Sequence, residues 1–220
     1  MKPYYQDDAV TIYHGDARQI VPGLGFEGLV LSDPPYGIDH PTDYAARGRD
    51  HLAACRNYER VAGDAEPFDP TWLLSIGSAR ILWGGNHFAS RLPDTSGWLV
   101  WDKERPDDLD QATCELAWTD CVKGVRRFRW LWNGMIRRGD ETLQHPTQKP
   151  EALMRWCLSL RWTAGYTDIL DPYMGSGTTL RAAKDCGRKA IGVELSEAYC
   201  EIAAQRMSQE VLPLETTKPV

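Results

Sequence analysis

The chain has 220 residues, a net charge of −6, 42% hydrophobic and 25% charged residues. That length suits one α/β domain with a well-buried core, and the acidic balance excludes a uniformly basic surface, so contacts with nucleic-acid phosphates must come from local patches. No apolar run approaches bilayer length, Met1 to Asp8 carry no signal-peptide core, and the six cysteines include no Cys-x-x-Cys pair, which predicts a cytoplasmic protein with reduced thiols, no membrane span and no metal site.

Val10 to Tyr13 predicts a strand, and Asp16 at its end is placed either to cap a short helix or to meet a ligand. Gly28 to Ser32 predicts an almost wholly apolar strand, the pattern of a parallel sheet covered on both faces. It runs into Asp33-Pro34-Pro35-Tyr36-Gly37. Two successive prolines remove two backbone donors and fix two φ angles, giving a rigid corner at the strand end where open α/β sheets bind ligands. Ile38 to Pro70 is polar and irregular, with Arg47, Arg49, His51, Arg56 and Arg60 among Tyr44 and Tyr58. It is either a loop that closes over substrate, its arginines on phosphates, or a solvated excursion.

Trp72 to Ile76 predicts a helix and Arg80 to Trp83 a strand stopped by Gly84-Gly85. Trp98 to Trp101 and Glu115 to Thr119 predict two more strands. Between Asp120 and Glu141, Lys123, Arg126, Arg127, Arg129, Arg137 and Arg138 alternate with Phe128, Trp130 and Trp132. Cations release counterions from phosphates and rings stack on bases, so residues 120–144 are a candidate nucleic-acid contact; the alternative is a charged hairpin with a packed aromatic face.

After His145 to Pro150, a helix runs through Ala152, Leu153, Trp156, Cys157 and Leu160. Then comes Ile169-Leu170-Asp171-Pro172-Tyr173-Met174-Gly175-Ser176-Gly177-Thr178-Thr179: a strand, a glycine bend and a helix N-terminus. Such a bend offers free N–H groups and the positive end of a helix dipole to an anionic group. A second strand, Lys189 to Glu194, ends in an acid at the distance where nucleotide-binding folds place a ribose ligand. Glu194 is that candidate, with Leu195 beside it. Asp171 would repel a pyrophosphate and attract the ammonium and sulfonium of S-adenosylmethionine, which favours a methyl donor over a nicotinamide. A last helix starts after Ser196, and the tail beyond Val211 is loose.

Asp33-Pro34-Pro35-Tyr36 and the later glycine loop together resemble the amino-group DNA methyltransferases, in the β-class order with the catalytic motif first. Leu82-Trp83-Gly84-Gly85-Asn86, His145 to Pro150 and the Glu194 strand are similar to further family landmarks, so the resemblance covers most of the chain. It implies a single Rossmann-like, doubly wound domain over 1–220: a mostly parallel sheet with helices on both faces and an antiparallel edge strand. It implies catalysis by Asp33, Pro34, Pro35 and Tyr36. It implies an S-adenosylmethionine seat formed by Asp16, Asp33, Asp171, Tyr173, Gly175, Ser176, Gly177, Thr178, Glu194 and Leu195, with Lys149 or Thr147 at the methionine carboxylate. The expected reaction methylates N6 of an adenine flipped out of double-stranded DNA, contacted by Arg47, Arg49, Arg126, Arg127, Arg129, Arg137 and Arg138. The expected setting is a bacterial, prophage or phage-encoded protein; a homodimer and a cognate restriction enzyme stay open as partners. Cytosine N4 and a catalytically silent DNA-binding module are the competing readings. Tyr173 stands where the family more often has phenylalanine.

Overall fold

The computed structural model describes residues 1–39, 63–106, 112–133, 136–139, 141, 144 and 147–209. Arg47 and Arg49, with the rest of 40–62, lie outside the described residues, as do His145, Pro146 and the tail from 210.

Short apolar runs bounded by Gly, Pro and Asp become the strands of a nine-stranded sheet. In chain order they are β1 (Tyr5–Gln6), β2 (Val10–His14), β3 (Leu29–Ser32), β4 (Ala79–Trp83), β5 (Gly97–Asp102), β6 (Cys114–Thr119), β7 (Val125–Arg129), β10 (Asp168–Asp171) and β11 (Lys189–Glu194). A separate hairpin pairs β8 (Trp132–Asn133) with β9 (Ile136–Arg137). The order across the large sheet is β1-β2-β11-β10-β3-β4-β6-β5-β7. Strands β2, β11, β10, β3 and β4 form a continuous parallel block. β1, a strand not singled out in the sequence, supplies the antiparallel edge that the family resemblance implies. A second reversal, β6, lies inside the sheet, antiparallel to both β4 and β5, while β7 closes the far edge parallel to β5.

Alternate residues of each central strand feed two different cores, as a pleated sheet covered on both faces requires. On one face Ile12, Leu29, Leu31, Ile81 and Ile169 pack under helices α2 (Glu151–Ser159), α3 (Thr178–Asp185) and α4 (Glu197–Ser208). On the other, Val30, Leu82, Leu170 and Val193 meet the short helix α1 (Ala17–Ile20), the 3-10 turn Thr71–Ser75, Phe68 and Phe88. The segment expected to be an α-helix near Trp72 is that five-residue 3-10 turn, closed off by Pro70 before it and Gly77 after it. Leu29, Leu31, Ile81 and Leu170 are wholly buried, so truncating any one to Ala costs about 2–5 kcal/mol.

Because β2, β3, β4, β5, β10 and β11 all run the same way, their carboxyl ends line one edge of the sheet, where β6 begins. Among the described residues, the loops at that edge carry the proline corner after β3 and the glycine bend after β10.

Candidate active site

The proline corner leaves β3 at its carboxyl end. Pro34 and Pro35 supply no amide hydrogens, and the next amides are collected by one buried acid: Asp64 Oδ1 accepts from Tyr36 N at 2.9 Å, Gly37 N at 2.9 Å and Ile38 N at 3.4 Å. The corner is thus pinned from 28 residues downstream. Tyr36 lies with its ring stacked on His87, centroids 4.7 Å apart and planes 14° apart. Gly84 makes room for this ring: at φ +73° it is in the left-handed region, and a Cβ there would overlap the Tyr36 ring.

A chain of charges converges on Asp33. Lys149 Nζ lies 2.7 Å from Asp33 Oδ2 and 3.1 Å from Glu115 Oε2, and Lys103 Nζ lies 2.6 Å from Glu115 Oε1. The Tyr36 hydroxyl donates to Asp33 Oδ1 at 2.5 Å and accepts from Lys149 Nζ at 3.0 Å. Burial raises the Asp33 carboxyl above the ordinary aspartate range, with Lys149 pulling it back and Glu115 pushing it up. Burial also acts to raise Glu115, but the Lys149 and Lys103 ammoniums outweigh it and hold that carboxyl at about 2. Burial disfavours the Lys149 cation; Asp33 and Glu115 overcome this and push it up to about 12. The Tyr36 phenol, raised by burial and by both acids, stays protonated and able to donate.

The glycine bend leaves β10, the strand next to β3 in the sheet. Ser32 Oγ donates to Asp171 Oδ1 at 2.7 Å, tying the two carboxyl ends together directly. The same oxygen accepts from Tyr173 N at 3.1 Å. Burial lifts the Asp171 carboxyl to about 6 against the hydrogen bonds from Thr179, Ser32 and Tyr173, and nearby Asp33 adds to the rise. Glu194 at the end of β11 accepts from Gly175 N at 3.0 Å and Ser196 N at 2.8 Å, so one carboxylate holds both the bend and the start of α4. Ser196 occupies the cap position, but its side chain makes no cap hydrogen bond. Asp16 caps α1 through Arg18 N at 2.9 Å, and the neighbouring Gly15 N donates to Glu194 O at 2.9 Å, so β2 ends at the same place. Gly177, at φ +81°, brings the backbone so close to α4 that an added Cβ would stand 3.0 Å from Ala203 Cβ. Ser176 is buried, its hydroxyl 3.3 Å from Gln148 Oε1, and the Thr178 hydroxyl receives Arg206 Nη1 at 3.1 Å on the α4 side.

The DNA methylase family model, which covers the N6/N4 type, matches residues 93–205. This chain is 38% identical over 251 aligned positions to the type II methyltransferase M2.DpnII of Streptococcus pneumoniae, covering 95% of this chain and 93% of that one.

The chain is an N6/N4 DNA methylase.

The type II methyltransferase M2.LlaDCHI of Lactococcus lactis subsp. cremoris is 23% identical to this methylase, over 94% of this chain and 93% of that one. Among solved structures, the cytosine-N4-specific PvuII DNA methyltransferase shares its fold with a TM-score of 0.62 at 14% identity, covering 96% of this chain and 90% of the other. The M1.HpyAVI complex with S-adenosylmethionine has a TM-score of 0.52 at 22% identity, covering 90% of this chain and 99% of that one.

The methylase's basic segment divides between the sheet and the small hairpin. β7 is the edge strand opposite β1. Its Arg127 and Arg129 are mostly exposed and lie 4.0 and 3.4 Å from Asp102, and Arg138 reaches Glu104 at 3.1 Å. Arg126 points to the other side, over Trp162, while Phe128 stacks with Trp130 and Trp156. Arg137 lies in β9, and its side chain is outside the described residues.

Lys149, expected at the methionine carboxylate, is engaged by Asp33 and Glu115. Thr147 stands two residues before it, partly buried. Tyr173 packs edge-on against Phe68 and Trp72. Sequence reasoning missed Glu115, Lys103, Asp64 and His87 as site residues. Glu115 had one local signal, a lone acid opening an apolar strand; the others act through partners too far along the chain for any local pattern to show. Among the described residues no helix is long and apolar enough to cross a membrane, and no cluster of three or more His, Cys, Asp or Glu could hold a metal ion.

Proposed function

We propose that this methylase transfers a methyl group to the exocyclic N6 of an adenine flipped out of double-stranded DNA, with Asp33, Pro34 and Tyr36 acting on the base. The observation that carries the reading is the 2.7 Å bond from Ser32 to Asp171, because it sets the proline corner and the glycine bend side by side at one sheet edge. S-adenosylmethionine, when bound, supplies a methyl group on a positively charged sulfur that departs as a neutral thioether. The bend fits that donor: Glu194 presents a carboxylate to ribose hydroxyls, and Asp171 presents one that would attract a cation and repel a pyrophosphate. Asp16, Tyr173, Gly175, Ser176, Gly177, Thr178 and Leu195 complete the seat, with Thr147 and Lys149 at its border with the catalytic corner.

Adenine's amine is a poor nucleophile because its lone pair is delocalised, and within the duplex it cannot reach the site, so the base must leave the stack. Asp33 and the Pro34 carbonyl accept the two amine hydrogens, which favours a pyramidal nitrogen and aims its lone pair. Pro35 keeps the corner stiff, and the Tyr36 ring offers a face for the base. Fixed orientation removes about 7–11 kcal/mol of barrier. The nitrogen gains positive charge as it is methylated, and the Asp33 carboxylate stabilises that charge before taking up the proton released. Exposed arginines of β7 and the Arg138 turn, together with Arg47 and Arg49, contact DNA phosphates.

The test is transfer of tritiated methyl to unmethylated DNA, followed by mapping of the modified base. Label on adenine N6, lost in Asp33→Ala while cofactor binding persists, is expected. Label on cytosine N4 overturns the adenine assignment alone, and no label rejects catalysis.

A further inference from the structure

We infer that Lys149, held in place by Glu115, recognises the ring nitrogen beside the target amine, and that the Tyr36 hydroxyl fills this two-point slot until a base enters. The inference rests on the methyl-transfer reading above and adds a specificity-determining residue to it.

The Lys149 side chain is 5% exposed, and its ammonium has three hydrogens to place. Asp33 Oδ2 takes one at 2.7 Å and Glu115 Oε2 another at 3.1 Å. The third goes to the Tyr36 hydroxyl oxygen at 3.0 Å. That hydroxyl in turn donates to Asp33 Oδ1 at 2.5 Å. One small polar group therefore occupies a position that demands a donor towards Asp33 and an acceptor towards Lys149.

The edge of adenine has this pattern. Its amine offers N–H to Asp33, and the adjacent ring nitrogen N1 offers a lone pair to Lys149. Cytosine presents the same pair through its amine and N3. Thymine and hypoxanthine reverse it, turning a carbonyl oxygen towards the carboxylate and an N–H towards the ammonium. The slot thus admits amino bases with an unprotonated neighbouring nitrogen and repels keto bases at both points. Glu115 is itself anchored by Lys103 at 2.6 Å, so the donor is fixed before the base arrives. As the base enters, the hydroxyl yields its place and the Tyr36 ring becomes available for stacking.

The test uses single-turnover methyl transfer by the full chain on duplexes carrying, at the mapped target position, adenine, 1-deazaadenine (ring N1 replaced by C–H) or 7-deazaadenine as control. Wild type should lose about 10- to 100-fold on 1-deazaadenine, the factor for one hydrogen bond to a charged group, and little on the control. Lys149→Met should be slowed on adenine by a similar factor and show no further loss on 1-deazaadenine. That non-additivity cancels the analogue's own change in amine reactivity and pairing strength. An adenine-to-1-deazaadenine rate ratio in Lys149→Met as large as that of wild type, or a wild type indifferent to 1-deazaadenine, overturns the inference. If Lys149→Met fails to fold, as shown by thermal unfolding, Glu115→Gln, which loosens the same ammonium, takes its place in the cycle: its adenine-to-1-deazaadenine ratio should fall below that of wild type, and an unchanged ratio overturns the inference. Absence of any transfer to adenine by wild type is the separate failure of the underlying reading.

Discussion

At the scale of single residues, the acids at the carboxyl edge are held under tension by burial. Asp171 is 2% exposed, and its carboxyl is lifted to about 6. A folded-state value above the unfolded one means that the native protein binds this proton more tightly. The associated stability is complete below about pH 4 and disappears as pH climbs through 6. Above that window the buried charge costs about 3 kcal/mol, two pH units at 1.36 kcal/mol each. Asp171→Asn keeps an acceptor for Ser32 and Tyr173 and removes the charge. It should therefore melt several degrees above wild type at pH 8, with the gap closing near pH 4, while losing cofactor affinity. A gap independent of pH would mean that burial of the charge is not its source. Glu194 carries a different load. Its two backbone amide partners make Glu194→Ala destabilising by about 1–3 kcal/mol as well as weak in cofactor binding, to be read by urea unfolding and calorimetry. Both acids were legible in the sequence because each ends an apolar strand. Asp64, which gathers three amides of the proline corner, was not, since its partners lie more than 20 residues upstream and nothing in its own surroundings points to them.

At the scale of elements, β7 shows why the basic segment resisted a sequence reading. Val-Arg-Arg-Phe-Arg has neither a helical stripe nor an apolar alternation, and what makes it a strand is the parallel ladder it forms with β5, from Trp98↔Val125 to Asp102↔Arg129. Phe128 supplies its buried side through Trp156, and the arginines keep the open edge charged, which discourages pairing with another chain. The sequence had offered DNA contact and a packed aromatic face as alternatives. In the structure the aromatic packing is realised on one side of β7, where Arg126 lies over Trp162, and Arg127 and Arg129 are left exposed on the other. Arg127 is 63% exposed, 4.0 Å from Asp102, an ion pair weak enough to give up for a phosphate. Arg127→Ala with Arg129→Ala should weaken DNA binding about equally on all sequences. It should flatten the slope of log K against log salt by about 2, one for each phosphate no longer neutralised, in a fluorescence-anisotropy titration. An unchanged slope would move the DNA path away from this edge.

At the scale of the whole molecule, strand identities follow from composition but strand order does not. The last strands in the chain, β10 and β11, insert between β2 and β3, near its start. Long-range pairing of this kind depends on which faces bury together, as when Leu29 meets Ile169 and Val10 meets Ala190, and no local pattern encodes it. The consequence is that the proposed cofactor seat draws on distant parts of the chain: Asp16 from near the start, Asp171 and Glu194 from near the end. A ligand held between these pieces should stabilise the whole sheet. Binding to the native state alone adds RT ln(1 + [L]/Kd), about 2.7 kcal/mol at a concentration of 100 Kd. For a domain of this size each kcal/mol is about 2–4 °C, so S-adenosylmethionine should raise the calorimetric midpoint by about 5–10 °C. A nicotinamide dinucleotide should leave it unmoved, because its pyrophosphate meets the Asp171 carboxylate. Asp171→Asn, though more stable on its own at pH 8, should show little of the rise. If the dinucleotide stabilises wild type and S-adenosylmethionine does not, the carboxylates at this edge have been given the wrong ligand.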